Sequence, residues 1–482
     1  MMTGQEYRNS LEARRPMKIF MNGARIGNPT RHPVIAASIN SIALTYELAE
    51  DPKYHDVMTA KSALTGKTIN RFCHLHQSPE ELYQKCGMQR LLGQKCGTCF
   101  QRCVGMDAFN AVFITSYEMD KDLGTDYHRR FTEYLKLAEE RDWVVDGCMT
   151  DPKMDRSRRP SQAKDAYVRV VKRSADGVVI RGAKMHQTGA LNSHEILVMP
   201  TIALKADEKE FAICCAVPAD DPALSYIYGR QPCDTRLLEE ASEDLRDSGS
   251  IYGGQECMII FDDVFVPNAR IFMNGEHDFS GRLVETFSGY HRSSYACKTG
   301  VGDVAIGAAA LIAEYNGVSS ASHVRDKIVE MIHLNETIWS SCVACCYKGT
   351  RTPAGNYLID LLLANVAKQN VTRFPYEIAR ILQDIAGGLM VTLPAAKDFN
   401  NPETKAYIEL YLAGAGTEGT ARNRFKLLRL IENLTMGRAA VGYLTESMHG
   451  AGSPQAQRIM ITRLADLDKK KALARRIAQI ME

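Results

Sequence analysis

Cys99 and Cys103 stand four residues apart, with Cys96 three residues before Cys99. On one helix that spacing gathers the thiols on a shared face, where Cys99 and Cys103 could hold two corners of a metal centre; Cys96 could be a third ligand or a neighbour. Far downstream, the run from Gly289 to Lys298 (Gly-Tyr-His-Arg-Ser-Ser-Tyr-Ala-Cys-Lys) sets an imidazole, a phenol, a thiol and an ammonium among small residues. Two thiolates joined to a distant His and Cys make a four-ligand set suited to an iron–sulfur cluster or to zinc. Two carboxylates stand outside any obvious ion-pair pattern: Glu256, after Gly253-Gly254-Gln255, and Glu446, in the polar turn Thr445–Pro454. Met149-Thr150-Asp151-Pro152 and His186-Gln187-Thr188-Gly189 are short loops that could offer hydroxyls and backbone N–H groups to a flavin. Gln383 with Gly387-Gly388 marks a helix end where missing Cβ atoms let a ring or phosphate approach. Each feature has a plainer reading: a buried cysteine as a small hydrophobe, a glycine pair as helix packing, a polar turn as a cap. The plainer reading is preferred for Cys342, Cys345 and Cys346, which lie in an apolar helix-like run. No G-x-G-x-x-G follows a strand, and there is no P-loop.

The elements that must position these groups fall into three zones. Residues 1–145 read as mostly helical, with apolar residues at three-to-four-residue intervals and no proline from Glu81 to Asp120. A second helix runs through Phe131 to Arg141, with Thr125-Asp126 as its cap. Residues 146–275 alternate apolar and polar: Ala166–Lys172, a turn at Asp176-Gly177 and the run from Val178 make a hairpin, and further strands are expected near 195–200, 211–217 and 258–267. Residues 276–482 return to helix, in segments near 302–316, 324–347, 357–370, 374–393, 420–446 and 455–481. The pattern is α+β.

Among 482 residues, 59 are Lys or Arg and 57 Asp or Glu, for a net charge of +2. That balance gives no global attraction to nucleic acid or anionic lipid. The longest stretch of only apolar residues and glycine, Val304–Ala313, is far short of the roughly 20 residues that span a bilayer. The N-terminus lacks an apolar signal core, so a soluble cytoplasmic protein is expected. Fourteen cysteines in such a chain do not suggest a disulfide framework.

Taken together, these pieces resemble the 4-hydroxybutyryl-CoA dehydratases, iron–sulfur flavoproteins that also isomerise vinylacetyl-CoA. The resemblance covers essentially the whole chain and is carried by Gly66–Arg71, Leu92–Lys95, Cys99–Asn110, Arg181–Lys184, His186–Gly189, Gly253–Glu256, Thr372–Glu377 and Thr445–Gln457. Wider relatives are flavin-dependent 4-hydroxyphenylacetate 3-monooxygenases and, more remotely, acyl-CoA dehydrogenases. The resemblance implies an acyl-CoA dehydrogenase-like fold, with an N-terminal helical domain (1–145), a middle β-barrel (146–275) and a C-terminal helical bundle (276–482), assembled as a homotetramer. It implies FAD and a [4Fe-4S] cluster, and an acyl-CoA thioester as substrate.

The family's cluster ligands fall on Cys99, Cys103, His291 and Cys297, and its other site residues on Gln101, Thr188, Glu256, Tyr295, Lys298 and Glu446. Flavin contacts fall on Met149, Thr150, Asp151, Pro152, Gln187, Thr188 and Gly189; by analogy with acyl-CoA dehydrogenases, Gln383, Gly387 and Gly388 reach the FAD of a neighbouring subunit. The implied reaction is dehydration to crotonyl-CoA by a ketyl-radical route, with His291 as the base. Glu446 and Glu256 would then handle protons or orient the thioester, and Lys298, Tyr295 and Thr188 would stabilise negative charge or tune the flavin. One departure stands out. The family pattern has two residues between the tyrosine and the cysteine, whereas only Ala296 separates Tyr295 from Cys297. On a continuous helix, one missing residue rotates every later side chain by about 100°. Either a local bulge absorbs that turn, or Cys297 misses the cluster and Cys96 takes its place. The rival readings are a same-fold enzyme on another hydroxyacyl-CoA, an aromatic monooxygenase without a cluster, and a cofactor-binding relative without activity.

Overall fold

The computed structural model describes residues 1–152, 154–229, 244 and 251–480. Most of the expected β region between 230 and 250, and position 481 of the last expected helix, lie outside the described residues.

The proline-free stretch from Glu81 to Asp120 is two helices, not one. Helix α1, Pro79–Cys96, starts with Ser78 accepting from the Glu81 N–H and stops at Gly97, whose φ of 61° is left-handed. Glycine takes that conformation without a Cβ penalty, so the helix ends there. Helix α2, Cys103–Leu123, begins after a loop that runs from Gly97 to Arg102. Cys96, Cys99 and Cys103 therefore do not share one helix face: they sit at the end of α1, in the loop, and at the first position of α2. Helix α3, Tyr127–Arg141, is capped differently from expectation, because Asp120 rather than Thr125 or Asp126 accepts from the Tyr127 and His128 N–H groups.

Apart from two small hairpins, Thr59–Lys61 with Thr68–Asn70 and Thr350–Arg351 with Tyr357–Leu358, the strands form two open sheets, and no closed barrel joins them among the described residues. In chain order they are β1 Lys18–Met21, β2 Ala24–Ile26, β3 Val145–Cys148, β4 Arg169–Arg173, β5 Gly177–Thr188, β6 Glu195–Val198, β7 Ile213–Pro218, β8 Leu224–Tyr228, β9 Glu256–Pro267 and β10 Ile271–Asn274. The six-stranded sheet runs β2-β1-β8-β9-β5-β4, and the four-stranded sheet runs β10-β7-β6-β3. The expected hairpin is β4–β5. The two strands from the first 26 residues, unseen in the sequence pattern, complete the larger sheet through a parallel pairing of β1 with β8. Pairing of β9 with β5 places Glu256 directly opposite Thr188.

Helix α4, His277–Ser294, and helix α5, Cys297–Tyr315, are separated by the turn at Tyr295-Ala296. There the Lys298 N–H donates to the Tyr295 carbonyl at 2.9 Å. This break answers the shortened spacing, because a helical phase is not carried from Tyr295 to Cys297. By length and composition the run His277–Tyr315 could cross a membrane, yet 67% of its apolar window is buried inside the protein. Close backbone contact with α1 fixes the start of α5. A Cβ on Gly93 would lie 2.2 Å from the Cys297 carbonyl, and one on Gly300 would lie 1.9 Å from the Arg90 carbonyl. Arg90 then clamps Asp303 through two bonds of 2.9 and 2.8 Å.

Gly93→Ala should force α1 and α5 apart and destabilise the fold by roughly 1–3 kcal/mol, as overpacking does. Thermal unfolding tests this. An unchanged Tm would mean that the two helices are not held at backbone contact.

Candidate functional site

Three helices converge on one buried carboxylate. Asp107 stands four residues after Cys103 on α2, so both face the same way. Its Oδ1 lies 2.7 Å from Lys85 Nζ of α1, and both side chains are fully buried. Its Oδ2 accepts from His291 Nδ1 at 2.9 Å and from the Ser294 hydroxyl at 2.7 Å, both on α4. Burial alone would raise the Asp107 carboxyl; Lys85 and His291 overcome it and hold the group below the usual carboxylate range. One ligand atom each from Cys103, Asp107 and His291 lies within 4.8 Å of the others.

Cys99, Cys103 and Cys297 are buried, and no described cysteine is in a disulfide. The three thiols lie close enough for the charge of one to act on the next. Burial pushes Cys99 and Cys103 well above the usual thiol value and Cys297 up to about 11. Among the described residues none of the three thiols makes a hydrogen bond. Cys96 differs: its thiol donates to the carbonyls of Leu92 and Thr98 at 2.9 and 3.0 Å. Cys96 thus finds partners within its own stretch of chain, whereas the charge of Cys297 acts on both other thiols. Three unsatisfied thiols and an imidazole are a donor set that fits a cluster, and a bound cation would supply the charge needed to ionise them.

Beside the thiols lies a second polar group. After helix Ala421–Thr435 the expected continuous segment 420–446 breaks, and Val441–Thr445 form a π turn immediately before Glu446. Such turns often mark functional sites, because the wider ring re-aims carbonyls and side chains. Here the Gly442 carbonyl accepts from Lys298 Nζ at 2.8 Å, and Glu446 Oε2 lies 3.1 Å from the same ammonium. A Cβ on Gly442 would stand 3.3 Å from Cys99 Cβ, so this turn closes over the thiols. The Tyr295 hydroxyl reaches Glu446 Oε1 at 3.4 Å. Burial would push Lys298 down; Glu446, followed by Cys297 and Cys99, reverses this and holds it well above the usual lysine value. Lys368, missed in the sequence, stands 4.0 Å over the Tyr295 ring and donates to the Ser447 carbonyl. Burial drives its ammonium well below the usual value.

The two loops read as flavin-facing are stitched together. The Met185 N–H donates to the Thr150 carbonyl at 2.8 Å, and the Met149 carbonyl accepts from Lys184 Nζ and the Thr201 hydroxyl, each at 2.6 Å. Lys184 also pairs with Asp151 at 2.9 Å. The Gln187 amide reaches the Thr150 carbonyl at 3.4 Å. Gly189 abuts the cysteine loop, where a Cβ would lie 2.7 Å from the Gln101 carbonyl. Gln101 takes a left-handed φ of 64° and donates to the Gly253 carbonyl at 3.1 Å. The Thr188 hydroxyl donates to Glu256 Oε1 at 2.6 Å. Burial pushes the Glu256 carboxyl up to about 8, with the charge of Glu446 adding and the Thr188 bond opposing. Asp146 on β3, a carboxyl that nothing in the sequence pattern marks, is also pushed up to about 8 by burial.

The expected residues thus fall into contact groups that meet through the Gln101 loop and Glu446. Gln383, Gly387 and Gly388 are not brought to them: Gly387 and Gly388 border open space at the end of helix Phe374–Ala386. Cys342, Cys345 and Cys346 are core residues, as expected. Asp107 and Lys85 were missed. Asp107 carried one signal, its i+4 spacing from Cys103; nothing in the sequence marks Lys85.

The fold is shared with a flavin-bound monooxygenase component. The oxygenase component of 4-hydroxyphenylacetate 3-monooxygenase, solved with FAD, superposes with a TM-score of 0.88 at 24% identity, covering 99% of this chain and 98% of that one. Family models described as the N-terminal and C-terminal parts of 4-hydroxyphenylacetate 3-hydroxylase match residues 3–273 and 280–479. The 4-hydroxybutyryl-CoA dehydratase/vinylacetyl-CoA-Delta-isomerase of Clostridium aminobutyricum is 55% identical over the full length of both chains. An oxygen-tolerant archaeal 4-hydroxybutyryl-CoA dehydratase from N. maritimus superposes with a TM-score of 0.96 at 52% identity, covering 100% of this chain and 95% of that one. The chain belongs to the 4-hydroxyphenylacetate 3-hydroxylase family and, within it, to the 4-hydroxybutyryl-CoA dehydratases.

A carboxyl raised to about 8 favours the folded state only while it is protonated. Its contribution is full below the ordinary carboxylate value of about 4.3 and is lost as pH rises through about 8. Glu256→Gln cannot ionise, so its denaturation midpoint should gain on wild type between pH 5 and pH 8. A constant gap would mean that Glu256 is ionised in the folded protein.

Proposed function

We propose that the chain is a 4-hydroxybutyryl-CoA dehydratase that forms crotonyl-CoA and water and also isomerises vinylacetyl-CoA. The full-length 55% identity to the clostridial enzyme carries this reading, and the site offers groups for each part of the chemistry. Cys99, Cys103, Cys297 and His291 would hold a [4Fe-4S] cluster, and the Met149–Pro152 and Gln187–Gly189 loops would hold FAD. When bound, these groups would supply a one-electron acceptor for a substrate radical and a Lewis-acidic iron.

The overall change removes one hydrogen from C2 and one from C3, and replaces the C4 hydroxyl by hydrogen. C2 is acidified by the thioester and C3 is not, so proton-handling groups are needed on more than one side of the acyl chain. His291 is the proposed base at C2, a role that requires its Nε2 to be free of the iron. Glu446 lies between Lys298 and Tyr295, where an ammonium and a phenol can oppose charge developing on the thioester oxygen. Glu256, with its raised carboxyl and Thr188 beside it, is suited to donating a proton. Gln101 joins the flavin and cysteine loops. The reading extends to an assembly in which Gln383, Gly387 and Gly388 of one chain meet the FAD of another in a homotetramer, and to the division into units 1–145, 146–275 and 276–482.

Protein purified without oxygen should contain about four irons, four sulfides and one FAD per chain and should turn over 4-hydroxybutyryl-CoA. Flavin without iron would move the assignment to a monooxygenase-like enzyme. Cofactors without turnover of any thioester would leave an inactive relative. Glu446→Gln should lower kcat by roughly 10²–10⁴ if it moves a proton; near-normal turnover would remove it from the reaction.

A further inference from the structure

We propose that Asp107 is a positioning residue: its carboxylate, anchored by Lys85, fixes the His291 ring and its tautomer so that Nε2 is presented to the proposed cluster. This rests on the cluster reading above. Asp107 lies within ligand distance of Cys103 and His291, so it could instead be a ligand itself. Its oxygens decide the matter. Oδ1 is taken by Lys85 at 2.7 Å, and Oδ2 by His291 and Ser294 at 2.9 and 2.7 Å. Lys85 is committed as well, donating to the Tyr290 carbonyl at 3.0 Å and to the Ser293 hydroxyl at 3.1 Å. With Lys85 and Ser294 donating to the carboxylate, its oxygens act as acceptors, so the hydrogen between it and the ring belongs to Nδ1, which in a metal-ligating imidazole leaves the lone pair on Nε2.

The ring has little freedom otherwise. Phe287, one turn before, stacks on it with centroids 5.5 Å apart and planes 20° from parallel. Tyr295, one turn after, meets it edge-on at 5.6 Å. Packing fixes the plane of the imidazole; the bond to Asp107 fixes which of its nitrogens carries the hydrogen. Carboxylates in this position also raise the basicity of a ligating histidine, and losing one typically costs 10–100-fold in metal affinity.

Asp107→Asn keeps the shape and removes the charge. Ser294→Ala removes one competing donor from Oδ2 and leaves the charge in place, so the carboxylate should polarise His291 more strongly. Anaerobic protein of each variant and of wild type would be assayed for iron per FAD after a chelator challenge, and for cluster reduction potential by dye-mediated titration. Asp107→Asn should retain FAD, bind iron roughly 10–100-fold less tightly and titrate at a higher potential. Ser294→Ala should hold its iron and titrate at a lower potential than wild type. A merely structural role would not move the two potentials in opposite directions. If Asp107→Asn does not fold, the direction of the Ser294→Ala shift decides alone. Iron-loaded wild type with unmoved potentials in the folded variants would overturn the positioning role. Wild type purified without iron would overturn the cluster reading and this role with it.

Discussion

The ion pair between Lys85 and Asp107 sits where helices α1, α2 and α4 meet, with both side chains at 0% exposure. Taking two charges out of water costs several kcal/mol per ion, and the cost is recovered only if every donor and lone pair finds a partner at good geometry. The partners come from α4: the Tyr290 carbonyl and Ser293 hydroxyl on the ammonium, His291 and Ser294 on the carboxylate. Because the pair tolerates so little displacement, it ties the start of α2, which carries Cys103, to the end of α4, which carries His291. The rest of the site is arranged around that fixed point.

Buried charge is managed in a second place by different means. Lys298 and Lys368 both lie near Glu446 and Tyr295, and one carboxylate cannot pair two ammonium groups equally. Lys298 takes Glu446 and the Gly442 carbonyl. Lys368 is left with the Ser447 carbonyl and the face of Tyr295, and its ammonium is correspondingly disfavoured. The Gly442 carbonyl that serves Lys298 lies within the π turn Val441–Thr445 and also accepts from the Ser447 hydroxyl at 2.9 Å.

The two-sheet unit contributes through register. Pairing of β9 with β5 puts Glu256 beside Thr188, and the loop after β5 brings Gly189 against the Gln101 loop. The same fold serves a flavin-bound monooxygenase component. The groups that point to chemistry in this chain are local: three thiols without hydrogen bonds among the described residues, and a histidine whose Nδ1 is already committed. Fold and chemistry are thus separable, the first set by sheet and helix packing and the second by a few side chains at helix ends.

Residue types, the order helix–strand–helix, the β4–β5 hairpin and the long C-terminal helices could be read from the chain, because hydrophobic periodicity and turn residues are local properties. The closeness of Cys103 and His291 was legible through family resemblance. Periodicity also misled: the apolar pattern continues across Gly97, where the backbone breaks, because a glycine interrupts a helix without changing which residues are apolar. Strands β1 and β2 went unseen because short strands find their stability in distant partners, here β8. Where the Cys96 thiol finds partners depended on which backbone carbonyls the fold brings to it. Lys85 became part of the site only when packing set its ammonium against Asp107. The sequence by itself determined which chemical groups were available and the local structures that carry them. Tertiary structure decided which of those groups meet, because burial and hydrogen bonding between elements far apart in the chain are not encoded in any local pattern.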